Sequence, residues 1–200
     1  MDPNMRIVEK RVHLRPARPE DKRAIFQALA RSDLTDTLLG HPSQSYTPLF
    51  TLEAFCADYE PHYFDGSDPE RGRCFIIEVN GQVVGQVNYN DIDRASNITE
   101  LDIWMFGERF CGHGYGSEAL GLLCEHLRKN LNIRGFYVKP SVANPRAIRS
   151  YEKAGFQRTR LSDDEAVRRF GPKEAIDTIF MTKDLEHVVP PDRSSSPRGK

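Results

Sequence analysis

The segment Cys111-Gly-His-Gly-Tyr-Gly-Ser-Glu-Ala-Leu120 sets glycines at 112, 114 and 116 just ahead of an apolar helical stripe through Ala119, Leu120, Leu123 and Leu127. Glycines at that spacing let the backbone come close to a ligand. The amides at the start of the following helix then converge on one point, with the helix dipole behind them. Such a loop suits an anion, most often a phosphate. Two better-known phosphate loops fit poorly. A Walker loop needs Lys before Ser117, where Gly116 stands, and a dinucleotide loop reads G-x-G-x-x-G where this one reads G-x-G-x-G. Taken alone, the segment fits a phosphate loop and a ligand-free Gly-rich turn equally well.

A second segment, Asn144-Pro-Arg-Ala-Ile-Arg-Ser-Tyr151-Glu-Lys-Ala-Gly155-Phe156, is a short helix with an N-cap, a proline at its first position and a glycine stop. Tyr151 shares a face with Ile148, and by itself it reads as a half-buried aromatic. A third candidate lies in the stretch from Ile98 to Phe106. Strand alternation there puts Glu100, Asp102 and Trp104 on one face and Leu101, Ile103 and Met105 on the other. Two carboxylates on an open strand face can take a proton from an amine or hold an ammonium group.

The elements that must position these residues follow from periodicity. Val12 to Pro16 reads as a strand, and Pro19 opens a helix with Ile25, Phe26 and Leu29 on one face. Residues 32–50 read as a loop. Thr51 caps a single helix whose Leu52, Phe55, Cys56, Tyr59 and Tyr63 share a face. Asn80-Gly81 joins strands Cys74–Val79 and Gln82–Tyr89 in a hairpin. The glycine loop leads into a helix to about Asn130, Arg134–Lys139 is a strand, and Phe156–Leu161 and Ala175–Thr182 close the chain as strands. Alternating helices and strands around hairpins predict an α/β (α+β) domain with a mixed sheet covered by helices.

Composition places this in a soluble globular class. The 200 residues are 38% hydrophobic and 28% charged, with 28 basic against 29 acidic residues and a net charge of −1. A dedicated nucleic-acid binder is usually basic, so no nucleic-acid partner is expected. No run of 18 apolar residues occurs, so no membrane span is expected, and the first residues carry no signal peptide. Cys56, Cys74, Cys111 and Cys124 stand 18, 37 and 13 residues apart, a spacing that gives neither a zinc site nor a disulfide framework. No metal is expected, and the compartment is the reducing cytoplasm. Residues 1–11 read as a lead-in, 12–186 as one domain and 187–200 as a disordered tail. The sequence leaves monomer and homodimer open.

Charge is unevenly spread. Residues 43–70 carry a net −6 and residues 88–103 a net −3, whereas residues 128–173 carry a net +8. One side suits a polyanion and the other a cation.

Together the two motifs resemble the GNAT superfamily of acyl-CoA N-acyltransferases. Its pyrophosphate loop, Q/R-x-x-G-x-G/A, aligns with Cys111, Gly114 and Gly116, and its N-x-x-A-x-x-x-Y-x-K-x-G-F helix with Asn144, Ala147, Tyr151, Lys153, Gly155 and Phe156. The motifs lie about 30 residues apart, and the resemblance covers essentially all of residues 12–186. Cys111 departs from the family's Gln or Arg. The resemblance is strongest to aminoglycoside 6′-N-acetyltransferases. It extends to the acetyltransferases of ribosomal-protein N-termini, which often carry an aliphatic residue where Tyr151 stands.

The resemblance implies a mostly antiparallel sheet of six to seven strands flanked by about four helices, with acetyl-CoA as co-substrate. It implies cofactor contacts from Trp104, Met105 and Phe106 at the strand's end, from Cys111, Gly112, His113, Gly114, Tyr115, Gly116 and Ser117 in the loop, and from Asn144, Ala147, Tyr151 and Lys153. Asp102 becomes the general base, with Glu100 as relay or substitute, and Tyr151 the acid for the departing thiolate. A backbone amide of the strand holding Asp102 would stabilise the oxyanion. The expected acceptor is a small cationic amine, aminoglycosides among them. Two rivals remain: a protein N-terminal or lysine acetyltransferase, and a non-catalytic acyl-CoA sensor.

Overall fold

The computed structural model describes residues 11–34, 51–160 and 178–184. In chain order its strands are β1 (Val12–Pro16), β2 (Gly72–Val79), β3 (Gln82–Asp93), β4 (Ile98–Met105), β5 (Gly135–Val138), β6 (Gln157–Arg158) and β7 (Met181–Lys183). They form one sheet in the order β1-β2-β3-β4-β5-β7-β6. Every pairing is antiparallel except that of β4 with β5. The Asn80-Gly81 hairpin is present, with both residues at positive φ (51° and 76°) as a primed two-residue turn requires. β3 continues to Asp93, beyond the expected end at Tyr89.

The described α-helices are α1 (Lys22–Arg31), α2 (Leu52–Asp58), α3 (His62–Asp65), α4 (Tyr115–Leu131) and α5 (Pro145–Lys153). The single helix expected from Thr51 to Tyr63 is thus two. Thr51 does cap α2, its Oγ1 accepting from the Ala54 amide at 3.1 Å. But Pro61 has no N–H for the helical ladder, and the chain turns extended at Tyr59 (ψ 109°) before restarting as α3. That break gives five α-helices among the described residues where about four were expected. The closing strands are also shorter than periodicity predicts. Ile179 donates its amide to the Pro140 carbonyl at 2.9 Å, and Thr178 bridges Ser141, so this stretch binds the β5–α5 connection before joining the sheet. Residues 161 and 175–177 of the predicted strands lie outside the described residues, as do the predicted tail, residues 1–10 of the lead-in and most of the 32–50 loop.

The core has two layers, one on each face of the sheet. Leu120, Leu123 and Leu127 of α4 pack with Val87, Leu101 and Phe136. On the opposite face Ile25 and Phe26 of α1, Phe55 of α2 and Phe64 of α3 cover Cys74 and Ile76. Each fully buried leucine contributes about 1.5–3 kcal/mol of transfer free energy. Among the described residues no helix is long and apolar enough to cross a membrane.

The site is positioned by a parting of two strands. β4 and β5 pair only from Ile98–Gly135 to Glu100–Tyr137, and β4 then runs on alone past the end of β5. On its other edge β4 stays paired with β3 to Met105, and Phe106 donates to the Val84 carbonyl at 2.9 Å. Amides alternate sides along an antiparallel strand, so those of Asp102 and Trp104 face β3. Those of Ile103 and Met105 face the gap.

Candidate active site

Two clefts meet at Trp104, which lines both. The first, about 490 Å³, lies between the end of β4, the start of α4 and the exposed side of α5. Gly112 (φ 79°) and Gly114 (φ 85°) adopt the left-handed backbone that glycine tolerates at no steric cost. Gly116 is already helical and serves close packing, since a Cβ there would sit 3.2 Å from Ser150 Oγ of α5. The neighbouring Ser117 Oγ donates to the Ser150 carbonyl at 2.9 Å. No side chain caps α4, and its first backbone bond runs from the Glu118 amide to the Gly114 carbonyl. The amides of residues 115–117 are therefore left for a ligand.

Of the residues expected to hold the cofactor, Trp104, Met105, Cys111, Gly112, Gly114, Tyr115, Gly116, Ser117, Asn144, Ala147, Tyr151 and Lys153 line this cleft. Phe106 and His113 do not. Phe106 packs against the core, and His113 stacks on Tyr115 with its Nε2 3.1 Å from the Arg109 carbonyl. Asn144 caps α5, its Oδ1 accepting from the Ala147 amide at 3.0 Å. The Cys111 thiol is pushed up by burial, against the pull of Arg146, so the loop position where the family carries Gln or Arg holds a neutral group. Arg146, Arg149 and Lys153 give the cleft a positive wall; among the described residues its one lining carboxylate, Glu108, pairs with Arg146.

The second cleft, about 630 Å³, has the opposite sign. Asp58, Glu60, Asp91, Glu100 and Asp102 line it against Arg71, which pairs with Glu60 at 2.5 Å. Part of the sequence's charge asymmetry thus falls in two neighbouring cavities: five of the ten carboxylates of residues 43–70 and 88–103 line the second, and three of the twelve basic residues of 128–173 line the first. Glu100 sits 3.1 Å from Lys139 Nζ. Asp102 is open to solvent but stands deep between the cleft walls, and its Oδ1 accepts from the Ile103 amide at 2.9 Å. Loss of hydration there, with the Glu100 charge adding to it, pushes its pKa up to about 6. Tyr151 is only 5% exposed and crosses the Phe156 ring edge-on at 5.8 Å. Burial first, then Asp102 and Glu100, hold its phenol well above the usual range.

Sequence reasoning missed Tyr59, Tyr63, Asn88 and Asn90 in the second cleft and Ile103, Arg146 and Ser150 in the first. Arg146 and Ser150 could have been found, since both lie inside the Asn144–Phe156 motif. Among the described residues no group of three His, Cys, Asp or Glu side chains is placed to hold a metal.

The fold is similar to solved acetyltransferases. Aminoglycoside acetyltransferase AAC(6′)-Ib in complex with coenzyme A and kanamycin superposes with a TM-score of 0.65 at 20% identity, over 86% of this chain and 94% of that one. Spermidine N-acetyltransferase from Vibrio cholerae, in complex with CoA and spermine, gives 0.65 at 19% identity over 88% and 96%. A putative ribosomal-protein-serine acetyltransferase from Vibrio cholerae gives 0.62 at 19% over 92% and 99%. At these identities the likeness is one of fold. Residues 11–157 match the model of the acetyltransferase (GNAT) domain, a span that takes in the glycine loop, both clefts' strands and the Tyr151 helix. The chain belongs to the GNAT acetyltransferase family.

Proposed function

We propose that this chain transfers the acetyl group of acetyl-CoA to a primary amine of a small cationic acceptor, by direct attack within a ternary complex. The observation that supports it is the meeting, at Trp104, of a basic glycine-loop cleft and an acidic cleft. The residues present fit the donor. The free amides of 115–117 and the Arg146, Arg149 and Lys153 side chains suit its phosphates, and Ile103, Met105 and Phe110 offer an apolar wall. The kanamycin and spermine bound by the two similar enzymes are both polycationic, as the acidic cleft here would require.

Bound acetyl-CoA supplies an acyl group activated as a thioester. The remaining work falls to the chain. An amine attacks only as its free base, and Asp102 takes the ammonium proton, its raised pKa making it a stronger base than an ordinary aspartate while leaving it largely ionised at neutral pH. The Met105 amide, on the edge of β4 that faces the gap, donates to the acyl oxygen as negative charge builds there, the Ile103 amide on the same edge being held by Asp102 Oδ1. The C–N bond forms, the C–S bond breaks, and Tyr151, kept as a phenol by burial, protonates the departing sulfur. No side chain is needed as a nucleophile.

Thiol release from acetyl-CoA over aminoglycosides, polyamines, amino acids and short peptides tests the reading. Release with an aminoglycoside or polyamine is the expected result. Release with peptides alone would move the function to protein acetylation, and silence with acetyl-CoA still bound would make the chain a sensor. Tyr151→Phe keeps the buried ring and removes one hydroxyl. We expect kcat to fall roughly 10²-fold with the KM for acetyl-CoA unchanged. An unchanged kcat would assign the sulfur's proton to solvent.

A further inference from the structure

A loop with glycines at 112, 114 and 116 has little of its own to fix its shape. Glycine takes positive and negative φ about equally well, so nothing in Gly112 or Gly114 itself prevents a flip of the adjoining peptide plane. The loop's own side chains grip it weakly. Cys111 Sγ reaches only the Gly107 carbonyl, at 3.8 Å, and His113 is tied by its ring to the Arg109 carbonyl. The main chain between the two glycines is held from outside the cleft by Arg11, the residue before β1. Its Nη2 donates to the His113 carbonyl at 3.2 Å, and its guanidinium lies over the Tyr115 ring, 5.3 Å from the centroid.

A trans peptide points its C=O and its N–H in opposite directions. Gly114 lines the donor cleft and Arg11 does not. A His113 carbonyl drawn out toward Arg11 therefore sends the Gly114 amide the other way, into the cleft. Gly114 is left-handed (φ 85°, ψ −1°) and Tyr115 after it is helical, the alternation that forms a backbone nest with amides converging on an anion. The Gly114 amide so joins those of residues 115–117.

The same strand start removes a competitor. Glu118 lies in the first turn of α4, where a glutamate is drawn to the helix's own free amides. Here its Oε1 accepts instead from the Arg11 amide at 2.7 Å and the Val12 amide at 3.1 Å, and Arg11 Nη2 stands 3.6 Å from Oε2.

We propose that Arg11 is a positioning residue for the donor: from behind the glycine loop it fixes the His113–Gly114 peptide in the orientation that binds the phosphates of acetyl-CoA. This rests on acetyl-CoA as the donor and not on which amine accepts the acetyl group.

The test compares CoA with pantetheine, the same thiol arm without phosphates. Binding is followed by calorimetry and by the fluorescence of Trp104, the chain's one tryptophan, which lines the donor cleft; melting curves confirm folding. Arg11→Met keeps an aliphatic stem over Tyr115 and removes the guanidinium. We expect its CoA Kd to rise about tenfold while its pantetheine Kd stays put, a split that general damage to the fold does not produce. The double variant Arg11→Met with Glu118→Gln has the wild type's net charge at this spot, and its new amide oxygen can still accept from the residue 11 and Val12 amides. It should remain about tenfold weak for CoA, because the grip on His113 is still missing. Recovery of wild-type affinity in the double variant would reduce Arg11 to a counter-charge for Glu118 and overturn the positioning role. Unchanged CoA affinity in Arg11→Met, or equal losses for CoA and pantetheine, would overturn it as well. A wild type that binds CoA but acetylates no amine sinks the acetyl-transfer reading and leaves the role of Arg11 to be decided by the same titrations. A wild type that does not bind CoA overturns both.

Discussion

We expect Asp102→Asn to lower kcat/KM at neutral pH by about 10²- to 10³-fold and to leave CoA affinity intact. The amide keeps the oxygen that accepts from the Ile103 amide, so the strand edge is undisturbed. What is lost is the basic lone pair next to the acceptor. The pH profile separates this from a packing effect. With Asp102 as the base, wild-type kcat/KM should fall as pH drops through about 6, where Asp102 takes up a proton, and the residual activity of the variant should show no such limb. Stability moves the other way. The folded-state pKa of about 6 lies above the ordinary 3.8, so the unfolded chain releases this proton first as pH rises. Wild-type stability therefore declines between those two values and stays lowered above them. The variant carries no such penalty, so its Tm exceeds the wild type's at neutral pH and converges with it in acid. Scanning calorimetry across pH checks this. A drop in activity accompanied by a lower Tm at neutral pH would mean the substitution damaged the fold.

The parts of this site that could be read from the sequence are those whose geometry is local. The glycine loop announces itself because φ values of 79° and 85° at Gly112 and Gly114 demand glycine whatever packs around them. Asn144 and Pro145 mark a helix start by the same local logic, and strand alternation is enough to put Glu100, Asp102 and Trp104 on one face. Local reasoning fails where tertiary packing decides. Gln86, Asn88 and Asn90 alternate with Val87 and Tyr89, a pattern that ordinarily means a solvent face. In the structure α1, α2 and α3 cover that face, so that Gln86 is wholly buried while Asn88 and Asn90 line a cleft. Tyr59 and Tyr63 look like one helical stripe with Phe55. The break at Pro61 turns α3 away from α2, and the two tyrosines, their rings edge-on at 5.4 Å, end up lining the cleft. The parting of β4 from β5 has no local signature either, since it depends on where a strand more than thirty residues downstream stops pairing.

Gly116→Val should be the most damaging single change to donor binding. A Cβ at Gly116 would lie 3.2 Å from Ser150 Oγ and 3.6 Å from Ile103 Cδ1. The serine can yield by a few tenths of an ångström to an alanine, but valine adds two methyl groups on a stiff χ1 between α4 and α5. α4 must then shift, carrying the amides of residues 115–117 with it. A displacement near 1 Å in such an array costs on the order of 10²-fold, so the acetyl-CoA KM should rise by at least about that factor. Gly81→Ala is the control for a glycine substitution away from the site. Gly81, unlike the helical Gly116, has a left-handed backbone (φ 76°), nothing lies within 4 Å of its missing Cβ, and it sits in the β2–β3 hairpin outside both clefts. It should lose about 1 kcal/mol of stability with no change in KM. Calorimetric titration with CoA, beside circular dichroism to confirm the helices, distinguishes the two. If Gly116→Val bound CoA as the wild type does, the α4 amides would not be the phosphate site, and the Arg146–Lys153 wall would have to carry the donor alone.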